Sequence, residues 1–400
     1  MVKKDFNDLA IFGGRIYFQE KLHVGRPNIG NREKFFERMN DMFDRRWLTN
    51  NGIFAQELEK RISEFLQVKH CILVCNATVG LEILVRALEW QGEVIVPSFT
   101  FIATAHALQW LGVKPVFCDI DPQTHNLDPQ CVEALISPRT TGILGVHVWG
   151  RPCAIKELTQ IAQKHALKLA FDAAHAFGCS YQGRMIGSFG EAEVLSFHAT
   201  KFFNSFEGGA IITNNDILAA KLRSMTNFGF QGYDNVVSLG TNGKMTEAAA
   251  AMGLASLDAL DQFIDTNRQN YHAYRRELDG IPGVRLISYN ESEKNNYQYI
   301  IVEIDGEQST LTRDQINDIL HAENVLSRRY FFPGCHQMEP YRTLDPDANI
   351  RLPNTNRLTA RALSLPNGTA VTAEDIQAIC QIIRLAILNG DEVARRLNAQ

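Results

Sequence analysis

The chain reads as an α/β protein, a mostly parallel sheet covered by helices in a large unit, followed by a smaller α+β unit. Three observations carry this. Short apolar runs alternate with amphipathic segments through the first two thirds of the sequence. Those runs are apolar on both faces, as strands buried between two helical layers are. At 400 residues the chain also exceeds what one small core holds, and domain-size statistics point to about two or three domains.

Taken in order, "REKFFERMNDMFDRRWLTNNGIFAQELEKRISEFL" (32–66) predicts two helices parted by a turn at "TNNG". The segment "HCILVCNATVGLEILVRALEW" (70–90) is strand, turn and helix, and "GEVIVPSFTFIATAHALQWLG" (92–112) repeats that theme. A strand with an acidic end follows at "KPVFCDID", and the alternation continues through "TTGILGVHVWG", "IKELTQIAQKHALKLAFDAAHAFG" and "AEVLSFHATKFF". From "GKMTEAAAAMG" the alanine-rich start and the 3.6-residue apolar period predict one long helix ending near Gly280. Beyond it, "GVRLISY", "NNYQYIIVEI", "TRDQINDILHAEN" and "TAEDIQAICQIIRLAIL" form the smaller unit. The expected division is 1–265, with an N-terminal helical segment over 1–66, and 266–400.

Composition narrows the function classes. With 45% hydrophobic and 21% charged residues the chain resembles ordinary globular proteins, and a net charge of −5 with scattered basic residues leaves no footprint for nucleic acid. No apolar run reaches the roughly 18 residues of a membrane span, and the N-terminus lacks the apolar stretch of a signal peptide, so a cytoplasmic protein is expected. Eight cysteines never fall in a C-x-x-C pair, which argues for reduced core thiols and against a zinc site or a disulfide framework.

The strand ends carry the chemistry. In "LKLAFDAAHAFG" an apolar strand finishes on Asp172, with His175 three residues on, at the strand end where open α/β sheets place ligands. Taken alone, Asp172 is equally a helix cap. "ILVC" runs through "NATVG" into a helix whose free N–H groups and dipole suit a phosphate, with Thr78 adding a hydroxyl. No G-x-G-x-x-G occurs, which removes the main support for a dinucleotide fold. Phe101 follows another strand end, where a ring stacks on a planar cofactor or simply joins the core. Lys201, after Ser196 and His198 and before Phe202 and Phe203, sits in a desolvated setting that favours a nucleophilic amine. Pyridoxal 5′-phosphate accounts for all of these together: its phosphate needs a helix start, its ring a stacking partner, its nitrogen a carboxylate and its aldehyde a lysine.

In order along the chain, "CNATVGLEI", "VPSFTFIATAHA", "PVFCDID", "GVHVWGRP", "FDAAHAFG", "SFHATKFFNSFEGG", "NFG", "GTNGKMTEAAAAMG" and "LSLPNG" resemble the sugar aminotransferases of the DegT/DnrJ/EryC1/StrS group. The resemblance implies fold type I, with a seven-stranded large-domain sheet. It makes Lys201 the residue that binds the cofactor's aldehyde and shuttles protons, Asp172 the partner of the ring nitrogen, and His175 a neighbour of the ring hydroxyl. Phe101 becomes the stacking ring, and Ala77, Thr78 and Ser196 the phosphate cup. Asn227 corresponds to an asparagine that reaches the phosphate of a neighbouring subunit, which implies a homodimer with shared active sites. Two departures stand out: Asn76-Ala77-Thr78 where many members have Ser-Gly-Thr, and Phe206 where a glycine is common.

The reaction implied moves an amino group from L-glutamate, through the pyridoxamine form of the cofactor, to a nucleotide-linked keto sugar. "RRYFFPGCHQMEPY" and "CNATVGLEI" are most similar to the branch that aminates carbon 4 of dTDP-4-keto-6-deoxyglucose for O-antigen; amination at carbon 3 of a dTDP-3-keto-6-deoxyhexose is the alternative. Arg329, Tyr330, His336, Asn242 and Lys244 are candidate substrate contacts, with Arg328 adjacent. Sugar 3-dehydration replaces the lysine by histidine in relatives, so Lys201 argues against it. A cofactor-binding regulatory protein without turnover is the non-enzymatic alternative.

Overall fold

Among the described residues, 3–399 of the computed structural model, seven strands build one sheet. They are β1 (His70–Val74), β2 (Glu93–Pro97), β3 (Lys114–Cys118), β4 (Thr140–Val146), β5 (Lys168–Asp172), β6 (Glu193–Ser196) and β7 (Gly209–Thr213). Their order is β1-β7-β6-β5-β4-β2-β3. Strand β7 pairs antiparallel with β1 and β6, placing Gly209 opposite Val74 and Ser196; the other pairs are parallel. The period of two along a strand explains why these runs are apolar throughout. Cys71 and Leu73 of β1 enter one core with Leu195 and Ile212, while Ile72 and Val74 enter the other with Val194 and Ile211.

Helices α1 (Arg32–Arg45) and α2 (Ile53–Leu66) lie where the sequence predicts them, and α2 buries Phe54, Leu58, Ile62 and Leu66 in the first core. The opposite face is covered by α3 (Ala77–Ala87) and α4 (Ala103–Trp110). The single long helix expected after residue 246 is two: α5 (Glu247–Asp258) and α6 (Leu260–Leu278), parted at Ala259. The pieces pack differently. Small residues let α5 bury nearly its whole length, whereas α6 is amphipathic and gives Leu260 and Phe263 to the first core but Tyr271, Tyr274 and Leu278 to another.

That further core fills the smaller unit, where β8 (Val284–Leu286), β9 (Ile300–Ile304) and β10 (Ala362–Leu365) make an antiparallel sheet. Leu9, Phe18 and Leu22 belong to this core too. The segment from Leu9 to Leu22 thus packs on the smaller unit, and the chain through Asn28 forms a strap that leads from there to the large one. The short 3-10 turns at Phe6–Asp8 and Ala10–Phe12 carry no periodicity from which to read a partner.

Candidate active site

The carboxyl ends of β5 and β6, the start of α3, the strap and the smaller unit enclose a cavity of about 470 Å³. Asp172, the last residue of β5, is buried there. Its carboxylate accepts hydrogen bonds from the Thr104 hydroxyl (2.8 Å) and the Ala174 N–H (3.0 Å). Burial raises its pKa, while these donors and the charge of Lys201 pull the other way.

Lys201 sits in a turn closed by its own N–H to the His198 carbonyl (2.8 Å). Its Nζ donates to the Tyr299 hydroxyl at 3.2 Å. Desolvation lowers the ammonium pKa to about 8, with Asp172 opposing. His175 is buried, and its Nδ1 accepts the Trp149 N–H at 3.2 Å, which assigns the ring proton to Nε2. Burial, helped by the charge of Lys201, holds it neutral.

At the start of α3 the Asn76 side chain takes the Val79 N–H (2.9 Å), leaving those of Ala77 and Thr78 without intrahelical partners beside the cavity. Ser196, at the end of β6, and Phe101 also line it. Phe101 is 56% exposed, an open aromatic face on the cavity wall. Gly209 is required behind the helix start, because a Cβ there would come within 2.9 Å of the Ala77 nitrogen. Ala77 itself is helical, so the glycine of related sequences is not needed at that point.

Phe206 adopts φ +63°, the left-handed region where glycine is at ease. Its ring meets Phe35 edge to face at 5.7 Å. A ring pair of about 0.5–1.5 kcal/mol is comparable to the left-handed penalty of about 1–2 kcal/mol, so the contact offsets much of the strain.

The expected substrate residues divide. Tyr330 lines the cavity, but Arg329 turns away to pair with Asp314 at 3.0 Å; Arg328 lines the wall instead, its guanidinium over the Tyr330 ring. His336 is a correction: it is 2% exposed, with one ring nitrogen on the Ser98 hydroxyl (2.7 Å) and the other on Asn356 (3.1 Å). It packs the small-unit loop against the end of β2 and does not line the cavity. Asn227, Asn242 and Lys244 cluster together, Lys244 Nζ donating to Asn227 Oδ1 at 2.9 Å, outside the cavity of their own chain. Thr104, Tyr299, Arg26 and Asn28 were not singled out from the sequence. Thr104 meets Asp172 across 68 positions and Tyr299 meets Lys201 across 98, separations that no local pattern signals.

A half-buried amine of lowered pKa, a buried carboxylate, a helix start with open N–H groups and an open aromatic face are the groups a phosphate-bearing pyridine aldehyde requires. The profile of the DegT/DnrJ/EryC1/StrS aminotransferase family matches residues 30–384. The chain belongs to this family. The aminotransferase is 36% identical over 368 residues to the dTDP-4-amino-4,6-dideoxy-D-glucose transaminase of Shigella dysenteriae, covering 92% of this chain and 99% of that one. It is 31% identical over 371 residues to the GDP-perosamine synthase of Vibrio cholerae, covering 91% and 98%. Among solved structures, DesI in the presence of its TDP-sugar product shares 48% identity at a TM-score of 0.93, covering 98% of this chain and 100% of that one. The enzyme therefore has fold type I and depends on pyridoxal 5′-phosphate, with which the donor set of the cavity agrees. No helix among the described residues is long and apolar enough to cross a membrane.

Proposed function

We propose that this enzyme moves the amino group of L-glutamate to carbon 4 of dTDP-4-keto-6-deoxyglucose, giving dTDP-4-amino-4,6-dideoxyglucose for O-antigen. The full-length similarity to a transaminase named for that product carries the reading. The TDP-sugar product of DesI agrees in nucleotide, and the GDP-sugar relative is less similar. Amination at carbon 3 is not favoured by these relatives.

When bound, the cofactor supplies an electron sink for the pair released as a proton leaves the donor's α-carbon. With the cofactor bound, Lys201 Nζ would hold its aldehyde until the donor's amino group displaced it, and the freed amine would then take the α-proton of glutamate in the first half-reaction and deliver one to sugar carbon 4 in the second. The Tyr299 hydroxyl orients that nitrogen. Asp172, oriented by Thr104 and the Ala174 N–H, would keep the ring nitrogen protonated. Ala77, Thr78 and Ser196 would hold the cofactor's phosphate, Phe101 would offer a stacking face to its ring, and His175 would face its ring hydroxyl.

Two copies of the chain complete two sites in this reading. Asn227, with Asn242 and Lys244 beside it, reaches the partner's cavity. The loop that follows Asn227 exposes Phe228, Tyr233, Val236, Val237 and Leu239, an apolar face suited to burial against a second copy. Incubation with glutamate and each candidate dTDP-keto sugar, read by NMR of the product, tests the assignment. Amination at carbon 3, or turnover only with a GDP sugar, would overturn it. Lys201→Ala is expected to abolish turnover, and sustained activity would remove the lysine from the mechanism.

A further inference from the structure

We infer that a clasp of two asparagine side chains, Asn28 and Asn204, positions Lys201 by tying the N-terminal strap to the turn that carries the lysine. The inference rests on the role proposed for Lys201 above. Lys201 lies in the connection between β6 and β7, in no helix or strand, so the sheet does not fix its backbone. The strap does. Asn28, 2% exposed, donates its amide to the Phe202 carbonyl at 3.0 Å, and Asn204, 1% exposed, donates its own to the Asn28 carbonyl at 2.9 Å.

The clasp is anchored at both ends. Asn28 Oδ1 accepts from the Thr369 N–H (2.9 Å) and hydroxyl (3.0 Å) in the smaller unit, and the Asn204 carbonyl accepts from the Ser256 hydroxyl of α5 (2.7 Å). On the other side of the lysine, Gly25 of the strap lies so close that a Cβ would reach 2.9 Å from Thr200 Cβ. Gln298 donates to the Thr200 carbonyl at 3.4 Å. The carbonyls before and after Lys201 are thus held from outside its own segment. Val24, Gly25, Arg26 and Asn28 line the same cavity as the amine, so the strap that aims it also walls it from solvent.

Asn28 and Asn204 act here as positioning residues. A displacement of about 1 Å in a reacting group costs roughly 100-fold in rate, so Asn28→Ala and Asn204→Ala are each expected to lower kcat about tenfold or more. KM for glutamate should change less than kcat, because the cavity wall outside the strap stays in place. With water admitted, the pH midpoint for covalent capture of pyridoxal phosphate by apoenzyme, trapped with borohydride, should rise above the wild-type value. The double variant should resemble the worse single variant, since one device is lost once. Melting temperatures lowered alone, with kcat and capture midpoint at wild-type values in either variant, would reduce the clasp to a structural tie and overturn the inference. Should Asn28→Ala not fold, Asn204→Ala and Asn28→Asp, which keeps the size and the acceptor but lacks the donor to Phe202, carry the same test. Wild-type protein whose Lys201 peptide carries no borohydride-fixed cofactor would sink the role of the lysine itself; a wild type that carries it, beside unaltered variants, would sink only the clasp.

Discussion

At Lys201 the decisive quantity is the charge on one nitrogen. Burial lowers its pKa from 10.5 to about 8. The neutral amine attacks, so capture of pyridoxal phosphate by apoenzyme should accelerate as pH rises through about 8, measured as growth of visible absorbance. A midpoint near 10.5, the value of an ordinary lysine, would contradict the desolvated setting. The linkage has a definite sign. Between those pH values the unfolded chain holds a proton that the folded one has released, so this group's penalty on the apoenzyme is full below about 8 and fades towards 10.5. Asp172 depends on a neighbour invisible to sequence reading. Thr104→Val deletes a hydrogen bond to a charged group, worth about 1.5–3 kcal/mol, and should weaken cofactor retention by roughly tenfold or more in equilibrium dialysis. Unaltered retention would show that the Ala174 N–H suffices to hold the carboxylate. The place of Asp172 was legible because an apolar run stops at it, and that of Lys201 because it follows a strand closely and precedes Phe202 and Phe203, whereas His336 misled because exposure follows from packing and not from residue type.

Helix α2 begins without a side-chain cap of its own, since Gly52 holds the capping position. The buried carboxylate of Glu247, at the start of α5, accepts the Phe54 and Ala55 N–H groups at 3.0 and 2.8 Å. Gly52 makes room for it: a Cβ there would lie 2.3 Å from the carboxyl carbon. Glu247→Ala strands two buried donors at about 1–3 kcal/mol each, so urea denaturation should show a loss of about 2–6 kcal/mol, with Glu247→Gln between that and wild type. A loss below about 0.5 kcal/mol would mean that water replaces the cap. The turn at "TNNG" was readable from residue types, but its cap comes from 195 positions later (247 − 52) and carries no sequence signature. The break at Ala259 was missed for a related reason: the 3.6-residue period runs through it, and only the two packing surfaces show that the axis must change.

Across the whole molecule, the strap joins the units. Lys3 and Glu323 form a buried ion pair at 2.7 Å, and Glu323 also accepts the Ala10 and Tyr17 N–H groups at 2.8 Å each. Residues 24–28 are thereby delivered to the cavity wall. The proposed dimer adds a second copy, and mixing an inactive with a weakened variant tests it. Lys201→Ala blocks a chain's own site and Asn227→Ala weakens the partner's, so a mixed dimer holds one intact site and one carrying both defects. An equimolar mixture should recover activity in about a quarter of its sites, with gel filtration confirming the doubled mass. No recovery despite subunit exchange would place Asn227 in its own chain's site.

The sequence by itself determined the layered α/β architecture, the strand ends at Asp172 and Ser196, the helix start at Thr78, one residue beyond where the helix begins, and the family motifs around Lys201, because each is written in consecutive residues. Only the tertiary structure decided that Arg328 and not Arg329 faces the cavity, that Thr104 and Tyr299 bond Asp172 and Lys201, and that residues 9–22 pack with the smaller unit. Those outcomes depend on side chains brought together from distant positions by the burial of shared cores. Hydrophobic periodicity states which face is buried, but not against what.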